Sequence, residues 1–227
     1  MWAVYKKEIK TYFLSPIGYV VIGILLLCFS VFFYLEVLQN GTVDLGALYY
    51  YAALYGLIIT TPILTMRMFA EERKNGTEQL ILTSPVSMIG VVMGKLLAAL
   101  TIILITLVLS LIYYFIVAFF GSPSIIKVIC AIFGFILISI ASLSVGMFIS
   151  SITENQVIAA VITIAFLIMT LFLPNISSIF ENFILINFYV NFALGVVSLE
   201  NIISLVLFAA TFIALTIIVM QRRKLVK

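Results

Sequence analysis

Six stretches of this sequence, 17–35, 45–66, 96–120, 128–153, 157–173 and 201–220, contain no Asp, Glu, Lys or Arg. A helix crossing the roughly 30 Å hydrocarbon layer of a bilayer needs about 20 apolar residues, because nothing in lipid satisfies a free backbone N–H or C=O. A soluble core cannot hide so many such runs, and 65% of the 227 residues are hydrophobic against 9% charged. The expectation is therefore an all-α, polytopic membrane protein with six transmembrane helices in a single domain, 1–227. The fifth run is the shortest and leans on its uncharged flanks.

A seventh uncharged run, 182–199, is just long enough to cross. Counting it as a span would put the terminal Arg222, Arg223 and Lys224 on the opposite side from the other basic residues, against the positive-inside rule. It reads instead as part of an external re-entrant segment, 174–200, whose backbone at membrane depth is covered by protein. With six spans, eleven basic residues (Lys6, Lys7, Lys10, Arg67, Arg73, Lys74, Lys95, Arg222, Arg223, Lys224 and Lys227) share one side and Lys127 alone takes the other. That distribution predicts a multi-pass protein of the cell membrane with both termini cytoplasmic. The net charge of +3 is then a signature of topology, not of nucleic-acid binding.

The first sixteen residues combine Trp2, Tyr5, Ile9 and Tyr12 at helical spacing with Lys6, Lys7 and Lys10 on other faces. This pattern predicts an interfacial helix, 1–16, lying aromatic side down on membrane lipid before Ser15 and Pro16 turn the chain into the first span. No Ala-x-Ala site follows the apolar run, so the segment is expected to be retained and not cleaved as a signal. Cys28 and Cys130 fall in or near different spans and read as apolar filler without a disulfide.

Several chemistries are excluded early. The chain has no histidine, which removes His-assisted hydrolysis and His-ligated metals. No ionisable residue falls near the middle of a span, where ion-coupled transporters usually carry one. The polar groups there are Thr106, Ser110, Ser139, Ser142, Thr163 and Thr170, which read as packing hydroxyls bonded back to the preceding turn. Gly90, Gly94 and Lys95 resemble part of a phosphate-binding loop, but three residues separate the glycines where four are required, and Leu96 replaces Ser or Thr. The better reading is a small-xxx-small helix contact, with Lys95 snorkelling to the cytoplasmic interface. The sequence thus predicts no enzyme, no metal and no cofactor on this chain.

The charge that remains is concentrated in 67–95. Glu71, Glu72, Arg73 and Lys74 are expected to continue the second span into the cytoplasm, Asn75 and Gly76 to end that helix in a left-handed cap, and Thr77 and Glu78 to start a short helix that Pro85 stops. Leu80, Ile81 and Leu82 would form an apolar knob in a solvent-facing loop, which calls for a partner surface or, alternatively, for lipid under an interfacial helix.

The stretch MRMFAEERKNGTEQLILTSPVSMIGVVMGKLLAA resembles the hallmark region of type-2 ABC transporter permeases, especially the subfamily containing the gliding-motility permease and the permease that accompanies nitrous-oxide reductase maturation. KKEIKTYFLSPIGYVV resembles the subfamily's opening helix, and NFYVNFALGVVSLENIISLVLFAATFIALTIIVMQRRK its last external helix and sixth span. The likeness is specific in those three places and compositional in the third to fifth spans. It implies one permease half that pairs with a second half, identical or paralogous, and with a separate cytoplasmic ABC ATPase subunit carrying ATP and Mg. It further implies that 67–95 is a coupling region whose short coupling helix docks on the ATPase through Glu71, Glu72, Arg73, Gly76, Thr77, Glu78, Leu80, Leu82, Thr83, Ser84 and Pro85. The function so implied is an ATP-driven exporter with its path between two halves. The alternative from another class is a non-transporting membrane anchor or assembly factor that recruits a soluble protein through the same helix.

Overall fold

The computed structural model describes residues 1–79, 83, 86–172 and 185–226. Among these the chain is helical throughout, without strands: α1 (Trp2–Leu14), α2 (Ile17–Leu38), α3 (Gly46–Lys74), α4 (Met88–Phe120), α5 (Ile125–Ile152), α6 (Gln156–Phe172), α7 (Leu185–Ala193) and α8 (Leu199–Val226). Five of them, α2, α3, α4, α5 and α8, are long and apolar enough to cross a membrane. The fifth expected span corresponds to α6, whose 17 described residues reach about 26 Å at about 1.5 Å per residue, short of the roughly 30 Å layer. Residues 173–184, into which the fifth expected span and the first part of the re-entrant segment extend, lie outside the described residues.

Local chemistry explains where the helices begin and break. The α4 helix starts eight residues before its uncharged run, because the Ser87 hydroxyl caps it by accepting from the Gly90 amide. In α3, a wide π turn at Ala52–Gly56 precedes Pro62, which lacks the N–H that would bond the carbonyl four residues back. The helix then breaks at residues 66–69 and resumes at Ala70–Lys74. There the Ser150 hydroxyl of α5 accepts from the Phe69 and Ala70 amides, both at 3.2 Å.

The core lies between α2, α3, α4 and α5, with Phe29 at its centre against Tyr49, Tyr113 and Phe135. α8 packs along α5, α1 along α4, and α7 along α5. Outward faces carry large apolar residues such as Val108, Phe115, Ile129, Val161 and Leu207, the surface a lipid-embedded bundle needs. The six mid-span hydroxyls back-bond as expected; Thr106 donates to the Ile102 carbonyl and Ser139 to that of Phe135, for example. Cys28 and Cys130 are free.

The opening helix differs from the amphipathic expectation. Its aromatic stripe is split: Trp2 is exposed and stacks on Tyr5, whereas Tyr12 is buried and its hydroxyl donates to the Leu64 carbonyl at 3.0 Å. The inward face of α1 is the one bearing Val4, Glu8 and Tyr12, and it lies across Gly90 and Gly94 of α4. A Cβ on Gly94 would come within 3.1 Å of both the Met1 carbonyl and Val4. The two glycines are thus a helix contact, and the helix they admit is α1.

Candidate functional site

Charge gathers at one end of the bundle, where α1, the end of α3, the start of α4 and the ends of α5 and α8 converge. Its centre is Lys95. The expected snorkelling is overturned: its side chain is 2% exposed, with Nζ 2.9 Å from Glu72 Oε1 and 3.0 Å from Glu8 Oε1, and 5.3 Å from the centre of the Phe69 ring. Snorkelling needs open water along the side chain, and α1 seated on Gly94 closes that route. A buried ammonium is tolerated only when paired, and two carboxylates from different helices supply the pairing.

Lys7 joins the same cluster from the rim, 3.2 Å from Glu72 and 3.6 Å from Glu8. Burial opposes its charge, but the two carboxylates outweigh burial and hold its pKa above the ordinary 10.5. The Tyr12 hydroxyl is pushed far up, first by burial and then by the nearby Glu8 charge, so it stays a neutral donor.

Arg73 does different work. Its guanidinium donates to the Ser151, Ile152 and Thr153 carbonyls at 2.7, 3.1 and 2.8 Å, filling acceptors that the end of α5 leaves open. A cation at a helix C-terminus also meets the negative end of the helix dipole, worth about 1 kcal/mol. Arg73 pairs as well with Glu78, which Arg223 of α8 approaches from the other side at 3.3 Å. Glu71 forms a two-pronged pair with Arg67, one turn back on its own helix.

The last stretch of α3, Ala70–Lys74, forms an arm whose cap is the expected one: Gly76 has φ +71°, a left-handed conformation that glycine adopts without strain, and its amide donates to the Arg73 carbonyl. Thr77 departs from its expected capping role, because its hydroxyl donates back to the Glu72 carbonyl at 3.2 Å. A helical turn begins at Glu78, and exposed Thr83 donates from both its amide and its hydroxyl to the Gln79 carbonyl. Leu80, Ile81 and Leu82 of the expected apolar knob, Ser84, and Pro85, the expected stop, lie outside the described residues.

The arm is also continuous with a packed seam between α3 and α5. Ser142, Gly146 and Ser150 are spaced four apart on α5 and meet Thr61, Thr65 and the Phe69–Ala70 amides, in parallel register. Gly146 touches Thr65 closely enough that no larger residue fits.

Between α1 and the arm lies a cleft of about 400 Å³, lined by Lys7, Glu8, Thr11, Glu72, Thr77 and Lys95 among others. Glu72 Oε2 is closed to solvent and has no hydrogen-bond partner. A second cavity, between α3, α5, α6 and α7 and lined by Leu57, Ile138, Ser142 and Thr170 among others, holds about 30 Å³, roughly the space of one water.

The structure thus brings Glu71, Glu72, Arg73, Gly76, Thr77 and Glu78 together, moves Lys95 from its expected interfacial place into the cluster, and adds Glu8, Ser150 and Arg223, which spacing alone did not single out. Only one faint signal pointed to Glu8: it shares a face of α1 with Val4 and Tyr12. Each carboxylate of the cluster has a cationic partner, so its chemistry is that of a brace holding helices in register.

Comparison with known families bears on this region and beyond it. A family model described as ABC-2 family transporter protein matches residues 50–206, from within α3 into α8. No curated protein shows a significant match to the chain.

Proposed function

The chain belongs to the ABC-2 transporter family and is a multi-pass membrane permease; on that premise we propose that it is one permease half of an ATP-driven exporter, worked by a separate cytoplasmic ABC ATPase that binds ATP and Mg. In this reading the chain has six spans with both termini cytoplasmic, belongs to the subfamily that includes the gliding-motility permease and the permease accompanying nitrous-oxide reductase maturation, and has 174–200 as an external re-entrant segment. The path in this reading runs between two halves.

The observation that carries the proposal is the bracing of the arm at the end of α3. Arg73 ties it to the end of α5, Glu78 and Arg223 tie it to α8, and Glu72 ties it through Lys95 to α4 and α1. A push on the turn that follows the arm is therefore delivered to four other helices at once. Such bracing suits an element that receives mechanical work from outside the membrane; a passive anchor has no use for it.

The test is co-purification. The tagged chain is expressed with the ATPase encoded in its own genome, and Leu80→Asp and Leu82→Asp are compared with the parent. A charge on the docking knob must either stay buried and unpaired, at a cost of several kcal/mol, or drive the two proteins apart. Normal membrane levels with loss of the ATPase are expected. Retention of the ATPase and of its stimulation by the permease in both variants would overturn the coupling assignment.

A further inference from the structure

The opening helix is packed on one face and bare on the other. Its inward face carries Val4, Glu8 and Tyr12, whereas Trp2, Lys6, Ile9, Lys10 and Phe13 repeat at helical spacing along the outward one. Lys6 and Lys10 therefore share a face with aromatic residues, where the sequence pattern expects them apart. A hollow of about 410 Å³ lies on that face, with Trp2, Tyr5, Ile9 and Phe13 in its apolar lining and Lys6 and Lys10 as its charged groups. Lys6 Nζ stands 5.5 Å from the centre of the Trp2 ring.

The charge of this face is unanswered within the protein. Among the described residues neither Lys6 nor Lys10 forms an ion pair, whereas Lys7, between them in sequence, turns to Glu8 and Glu72. Two ammonium groups one helical turn apart repel each other, and an anion shared between them removes that repulsion. The apolar part of the face is equally bare, with Trp2 64% and Leu14 77% exposed. Phe13 meets Tyr19 of α2 edge-on at 5.7 Å, and both Tyr19 and Val20 are exposed, so the hollow opens onto the outer surface of the first long apolar helix. A free anion would answer the lysines and leave the rings in water. A phospholipid of net negative charge answers both, and continuity with the outer surface of α2 selects it over a soluble protein partner.

We propose that the outward face of α1 is a binding site for an anionic phospholipid, whose head-group phosphate bridges Lys6 and Lys10 and whose acyl chain lies along Trp2, Phe13 and Leu14 toward Tyr19. The site selects a head group, which the general contact of an amphipathic helix with lipid does not, and it goes beyond the permease reading without depending on an ATPase. Because the inward face of the same helix carries Glu8 to Lys95, the lipid seats α1 against α4 from outside.

Trp2 is the one tryptophan of the chain, so its fluorescence reports on this hollow alone. The full-length protein is reconstituted in phosphatidylcholine vesicles in which a rising fraction of the lipid is brominated phosphatidylglycerol or, in a parallel series, brominated phosphatidylcholine, whose bromines quench a tryptophan they touch. Phosphatidylglycerol is expected to be preferred about fivefold or more, with the preference fading in high salt. Lys6→Gln and Lys10→Gln together should abolish the preference while leaving quenching by phosphatidylcholine, and the unfolding temperature in phosphatidylcholine alone, at parental values. Lys10→Gln by itself, expected to lower the preference about twofold or more, carries the test if the double variant is unstable. Arg222→Gln with Lys224→Gln removes the same charge from exposed positions of α8 and should keep the preference.

Equal quenching of the parent by the two lipids overturns the proposal. So does an equal loss of preference in the two double variants, which would assign it to general surface charge. A Trp2 signal that neither lipid quenches also overturns it, and a response to inorganic phosphate in their place would identify a free anion as the guest. None of these outcomes touches the permease reading, whose own test is the ATPase.

Discussion

The two ends of the bundle are held by different physics. At the charged end, Lys95, Glu8, Glu72, Lys7, Arg73, Glu78 and Arg223 join five helices through ion pairs and carbonyl contacts. At the opposite end, α7 is held by shape and rings. Tyr189 lies parallel to Tyr50 and edge-on to Phe135 and donates to the Ala131 carbonyl at 3.1 Å, while Phe192 fills the space over Gly134. Among the described residues the one ion pair at that end is Lys127 with Asp44, which is exposed. One end is joined by charges on separate helices, the other by close packing of buried rings over a glycine. Under the proposed function, the charged end is the one that receives the ATPase.

Removing Lys95 should break the comparison hardest. Lys95→Met leaves Glu8 and Glu72 buried without their shared cation, a loss of about 3–5 kcal/mol, read as a lowered unfolding temperature in detergent. Adding Glu8→Gln and Glu72→Gln should restore most of the stability, because a neutral cluster has no unpaired charge to solvate. If Lys95→Met alone is neutral, the charged end is not held by its ions.

Next in size is overpacking at the other end. Gly134→Leu pushes into the Phe192 ring, which a Cβ at Gly134 would already approach to 2.5 Å. The expected cost is about 1–3 kcal/mol, with α7 loosened and hydrogen exchange faster at Tyr189 but unchanged at Arg73. Equal loosening at both ends would mean that the bundle responds as one body.

A smaller effect follows from Tyr189→Phe, which keeps the ring stacking and deletes one buried hydrogen bond, about 1 kcal/mol. A destabilisation well beyond that would show that the hydroxyl, and not the ring, holds α7.

The smallest concerns Asp44, whose pKa is held below its ordinary 3.8. Burial works against this but is outweighed by the Lys127 contact and the Gly46 amide. A carboxylate with a depressed folded pKa contributes stability above its unfolded value and loses it as pH falls through the folded one. The ion pair should therefore be intact at neutral pH and disappear only below pH 3.8. Asp44→Asn should cost no more than about 1 kcal/mol at neutral pH, because both partners are exposed. Measured unfolding temperatures for parent and Asp44→Asn should converge in strong acid. A gap that persists there would assign the role of Asp44 to its bond with the Gly46 amide.

Much of the molecule is legible in its sequence. Uncharged runs locate the long helices, because lipid forbids an unsatisfied backbone, and Asn75-Gly76 locates the end of the arm, because a left-handed turn selects glycine. The mid-span hydroxyls are bonded to their own helices as their positions imply, a contact local in sequence. Lys95 defeats the same reasoning for the opposite cause. As a lone lysine at the start of a span it is indistinguishable from one that snorkels, and its partners lie 87 residues back, at Glu8, and on another helix, at Glu72. Tyr12 looks like part of a lipid-facing stripe because aromatic periodicity does not record which side of a helix another helix will occupy.

What the sequence by itself determined is the solvent this protein lives in: apolar runs of bilayer length, charge confined to their ends, and no ionisable group left in mid-membrane. Those are local quantities, set by whether each segment can satisfy its own backbone and avoid desolvating charge. Only the tertiary structure decided which charges are buried and which are wet. The free energy of an ion in a protein depends on what stands beside it, and for Lys95, Glu72 and Arg73 those neighbours come from segments far apart in the chain.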